Sequence, residues 1–161
     1  NLGYASPPGQ SSVKFWPIYL CFIIFGILIP FSKPEPGVIT FLLSFLLALV
    51  IGLLAVNILI MLLNSSNKTL SAESGGQFAR EAVGTGMLFM IPFTILAGLA
   101  QLLLGWNAVM PFASAAIMTA CASAGTEVMK KGAQGIKNVM IPSAIAFLLS
   151  TGWMILVGIM P

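Results

Sequence analysis

Histidine and aspartate are absent from this 161-residue chain, and its acids are four glutamates. Losing both residue types removes the commonest general bases, the commonest metal ligands and most proton-relay groups. Charge is scarce as well. Only 7% of residues are charged, against about 25% in an ordinary soluble domain, so a water-facing surface cannot be covered. Disorder, nucleic-acid binding and a disulfide scaffold each need another composition. The two cysteines, Cys21 and Cys121, lie inside apolar runs and read as small packed thiols.

What is present is hydrophobic: 58% of the residues, with a mean hydropathy of +1.04. This composition belongs to an all-α polytopic integral membrane protein. Residues 1–14 are rich in Pro, Gly and Ser and read as a flexible tail, leaving 15–161 as one transmembrane domain. The first apolar run, about 15–32, is too long for a signal-peptide core and reads as a retained span. Trp16 and Tyr19 stand at its start, where amphipathic rings favour the headgroup zone. Lys33-Pro34-Glu35-Pro36-Gly37 has the composition of a tight hairpin turn.

The second span, about 38–63, is apolar on every side except at Asn57. Residues 64–83 form the longest polar connection, with a break expected at Gly75-Gly76 and the next helix starting between Gln77 and Val83. The uncharged run from Ala82 to Thr126 would be about 68 Å long as one helix, more than twice the hydrocarbon core. It has to turn, and Gly105-Trp106-Asn107 ahead of Pro111 is the place. Spans of about 84–105 and 108–125 follow, then a basic loop and a fifth span at about 138–160.

Five spans place the tail and the 64–83 and 126–137 loops on one side of the membrane. Six of the seven basic residues then fall there, with Lys33 opposite, so the N-terminus is expected inside and the C-terminus outside. The sequons at Asn64 and Asn67 would face the cytoplasm and stay unmodified. Arg80, Glu81, Glu127 and Lys130 read as cytoplasmic interface charges able to pair with one another.

Because no charge falls inside a span, in-membrane chemistry is left to hydroxyls, amides and backbone. Thr94, Gln101, Ser114, Thr119, Ser123, Ser150 and Thr151 are candidates to line a pathway, although local bonds to i−4 carbonyls are the ordinary use of such hydroxyls. Ala116, Ala120 and Ala124 recur at every fourth residue, which predicts a closely packed, enclosed fourth helix. Pro92 and Pro142, each within Met-Ile-Pro, predict helix kinks. The nine methionines lack Cys or His reinforcement and read as gap-fillers, not copper ligands. No metal, cofactor or nucleic-acid partner is expected. The composition points away from an enzyme and toward a channel, carrier or transporter subunit for ions or small neutral solutes. The alternative is a non-catalytic structural or assembly subunit of a larger membrane complex. Either is expected in the plasma membrane, among lipid, as a homo-oligomer or with partner membrane subunits.

Overall fold

In a bilayer every backbone polar group must find its partner within the protein, and a continuous helix does this residue by residue. The structure, a computed structural model, describes residues 14–32, 35, 37–104 and 109–159, and no strand occurs among them. Helix α1 (Trp16–Leu28) starts with Pro17 in its first turn and tightens into a 3-10 turn at Ile29–Ser32. It is followed by α2 (Val38–Ser66), α3 (Lys68–Ser74) and α4 (Gln77–Gly86). A 3-10 turn at Met87–Phe89 joins α4 to α5 (Met90–Leu104), and α6 (Val109–Lys130) and α7 (Lys137–Ile159) complete the chain.

Four segments are long and apolar enough to cross a membrane: Val38–Ser66, Gln77–Leu104, Val109–Lys130 and Lys137–Leu156. The first, Trp16–Phe31, is apolar but shorter. The third begins at Gln77 and not at residue 84, and the fourth runs on to Lys130 and not to 125. Each is longer than expected because its helix continues past the apolar stretch into the charged rim. The polar connection also carries more helix than its composition announces, since the end of α2, all of α3 and the start of α4 lie within it. Gly75 and Gly76 make the break there, with φ of 61° and 79°, a conformation that a side chain disfavours. The turn assigned to Gly105-Trp106-Asn107, the tail 1–13 and most of the turn around Pro34 lie outside the described residues.

Packing runs antiparallel between chain neighbours. Phe22 of α1 lies over Gly52 of α2, and Gly26 sits against Ala48 and Ser44 one turn after another. Ser44 Oγ donates to the Gly26 carbonyl at 2.7 Å, a buried bond between the two helices. Replacing it, Ser44→Ala, should cost only about 0.6 kcal/mol, the average for hydroxyl bonds between membrane helices. Denaturant titration of the detergent-solubilised variant measures this. Gly86 lies directly against the Ser123–Ala124 backbone, joining α4 to α6, and Gly125 faces Val139 and Ser143 of α7. Helix α2 also packs on α7, and α1 on α5.

Alanines line much of the inside beside large residues such as Phe22, Phe25 and Trp153, and large apolar side chains cover the outside. Ala48, Ala79, Ala82, Ala97, Ala113 and Ala116 are buried, whereas Leu42, Leu46, Ile95, Leu102, Ile141 and Leu148 are exposed. Water would not tolerate an apolar surface of that extent, and lipid does. As the fourfold alanine spacing predicts, Ala116, Ala120 and Ala124 are fully buried. Helix α6 is the most enclosed of the long segments, with 44% of its most apolar stretch buried against 33%, 28% and 33% in the others.

Candidate functional site

Among the described residues, Arg80, Lys130 and Lys131 lie at one end of the bundle. Arg80, near the start of α4, stands 5.4 Å above the Phe15 ring at the start of α1. Lys131, just past α6, is 2.9 Å from Glu81, and Lys130 is 2.9 Å from Glu127. Of the four charges the sequence singles out, Glu127 and Lys130 pair with each other. Glu81 takes Lys131 instead, and Arg80 takes an aromatic face. These pairs are exposed enough that each is worth at most about 1 kcal/mol. Their value lies in register, because they tie α1, α4 and α6 at a common level.

Beside them is a polar cleft of about 360 Å³ between the α2–α3 junction and the α6–α7 loop, lined by Asn67, Lys68, Glu73, Gln134 and Asn138 among others. Two of its amides are already engaged, Asn67 with the Leu63 carbonyl at 3.0 Å and Asn138 with the Gln134 backbone carbonyl at 3.1 Å. Asn64 donates to the Gly76 carbonyl at 3.3 Å, which fastens the end of α2 to the glycine break. Both sequon asparagines thus serve internal contacts.

Deeper in the bundle, the hydroxyls mostly close on their own helices. Thr94 is buried and bonds the Met90 carbonyl at 2.8 Å. Ser150 is fully buried and bonds Ala146 at 2.6 Å, while Thr151, half-buried, bonds Phe147 at 2.9 Å. Ser114, Thr119 and Ser123 are half-buried along α6. Gln101 is half-buried on α5 and borders a cavity open toward the α1 end, its Oε1 buried without a partner among the described residues. The structure brings Ser123 close to Gly86, and Thr94 close to Cys21. Gln101 lies apart, toward the end of the bundle away from the basic rim. Asn57 points outward from α2, with its Nδ2 on the Leu53 carbonyl at 2.7 Å.

The most irregular backbone lies in the third segment. Pro92 has no N–H to offer the Leu88 carbonyl four residues earlier, and its ring would collide with that oxygen in a regular helix. The chain responds by tightening to 3-10 geometry at Met87–Phe89, where the Met90 N–H bonds the Met87 carbonyl. The break falls directly after Gly86, where α4 meets the α6 backbone, and one turn before Thr94. The sequence predicts a kink at Pro92, but the contact with Ser123–Ala124 beside it has no sequence signal beyond Gly86 and the small residues of α6. Pro142 lies within α7 and is itself buried.

Among the described residues no three His, Cys, Asp or Glu side chains come together as metal ligands. The fold and this polar inventory define a class, an all-helical protein with the character of an integral membrane bundle. The chain matches no protein-family profile, no curated protein and no solved structure.

Proposed function

We propose that this chain is a five-span plasma-membrane protein, inside at its N-terminus, that serves as a non-enzymatic channel, carrier or transporter subunit for ions or small neutral solutes. The observation that carries the transport reading is the 3-10 turn ahead of Pro92 in the third segment. Discontinuous helices free backbone carbonyls at membrane depth, and such carbonyls are tolerated where protein or a cavity surrounds them. Here the Leu88 carbonyl loses its i+4 donor to Pro92 and keeps only the Met90 N–H of the tight turn, close to the buried Thr94. With no charge in the apolar stretch of any span, a solute would meet only carbonyls, amides and hydroxyls there, chemistry suited to neutral molecules or weakly hydrated cations.

Two features support the fifth span. Helix α1 with its 3-10 extension rises about 28 Å, close to the thickness of the hydrocarbon core. Its start also lies beside Arg80 at the basic rim, while its end packs Phe31 on Phe41 at the start of α2. Asn57, an amide on an outward face, supports oligomerisation, because in lipid such a group gains from a partner on another helix.

Flux into liposomes tests the reading. The wild type should conduct small neutral solutes or monovalent cations, and Pro92→Ala, which restores the regular helix, should lower flux about tenfold or more while the protein stays folded. A well-folded preparation with no flux that co-purifies with other membrane subunits would instead favour the assembly role. That second reading draws on the local closure of the Thr94, Ser150 and Thr151 hydroxyls, which leaves them fewer donors for a passing solute.

A further inference from the structure

A lateral groove of about 380 Å³ lies between α6 and α7, open to the outside of the bundle. Its walls are Met118, Met129, Met140 and Phe147, and its floor is kept low by Gly125 and Ala144. The three methionines are exposed, an adaptable thioether lining for a flexible apolar occupant. At one end, Met129 and Ile136 are followed directly by Lys130 and Lys137, both exposed. Ser143 opens onto the groove with its Oγ buried and without a partner among the described residues.

The groove's length decides what fits. From Met129 to Met118 it follows about 16 Å of helix, the depth of one leaflet's hydrocarbon and half of what a spanning helix needs. A partner helix would call for a face continuing across the whole membrane. A single acyl chain entering from the basic rim ends where the groove ends.

We propose that this groove is a binding site for an anionic phospholipid of the leaflet at the basic end. One acyl chain lies between Met118, Met129, Met140 and Phe147. The phosphate is held at Lys137 and at Lys130, which turns to it from its exposed pair with Glu127, beside the N-terminus of α7, where the helix dipole also favours an anion. The proposal is independent of transport and requires only that the bundle be embedded in lipid.

Native mass spectrometry of the detergent-solubilised full chain, titrated with dioleoyl phosphatidylglycerol or dioleoyl phosphatidylcholine, tests it. The anionic lipid should bind roughly 30-fold more tightly, the preference that two lysines near a headgroup supply. The exposed double variant K130Q/K137Q should erase that preference. Ala144→Phe and, separately, Ala122→Phe should fill the groove and weaken both lipids about tenfold with the charges untouched. Equal binding of the two lipids by the wild type would overturn the site. So would undiminished phosphatidylglycerol binding by both folded plug variants, since that would make the attraction one of surface charge alone.

Discussion

Gly86→Val should leave little folded protein. A Cβ at position 86 falls inside the Ser123–Ala124 backbone of α6, and backbone cannot swing aside as a flexible side chain does. Overpacking a core ordinarily costs 1–3 kcal/mol, and here relief requires separating two helices, so the cost should be about 3 kcal/mol or more. Gly98→Ala provides the contrast, because a Cβ there meets nothing within 4 Å and stability should be unchanged. Size-exclusion profiles after graded heating in detergent read both outcomes. Similar survival of the two variants would mean that α4 and α6 do not meet at Gly86.

The second large effect concerns Trp153, the largest fully buried side chain among the described residues. Trp153→Ala should destabilise the bundle by about 3–5 kcal/mol through the cavity it leaves. Trp153→Phe should cost far less than truncation. The indole Nε1 is buried without an acceptor among the described residues, and an unpaired buried donor is itself unfavourable by about 1–3 kcal/mol. Losing that donor offsets part of the lost volume. Unfolding titrations in mixed micelles should therefore rank wild type and Trp153→Phe close together, with Trp153→Ala well below.

The parts of this fold written in local pattern were legible from sequence. Alanines at fourfold spacing foretold the buried line of α6, and Gly75-Gly76 foretold the break before α4. Helix ends were less legible, because hydropathy marks where lipid contact stops and not where the backbone unwinds. Arg80 and Glu81 continue α4 into the rim, since Phe15 and Lys131 give their side chains partners there. Short α3 was hidden for a related reason: serines and asparagines resemble a loop, yet Asn67 and Ser74 turn their polar groups back onto Leu63 and Leu70 and leave the helix intact.

Long-range pairings could not be read at all. Glu81 and Lys131 lie 50 residues apart, and nothing in either neighbourhood selects the other. The candidate pathway residues were chosen by depth along each span. Depth does not determine rotation about the helix axis, so Thr94 and Ser150 point into packed core while Gln101 borders a lateral cavity. Pro92 was visible in sequence, but its consequence appears one turn earlier, as the 3-10 turn at Met87–Phe89. The α6–α7 groove combines residues of two helices with a loop, and its unpaired Ser143 could be recognised only once both walls were in place.

The central claim is that α1 crosses the membrane, giving an odd number of spans with the basic end in the cytoplasm. Single cysteines at Lys14→Cys, Glu35→Cys, Ala72→Cys and Gln134→Cys, in a background with Cys21 and Cys121 replaced, test it with a membrane-impermeant thiol reagent on intact cells and on inverted vesicles. Position 35 should react only from outside, and positions 14, 72 and 134 only from inside. Labelling of 14 and 35 from the same side would contradict the account, leaving α1 on the membrane surface and the bundle with four spans.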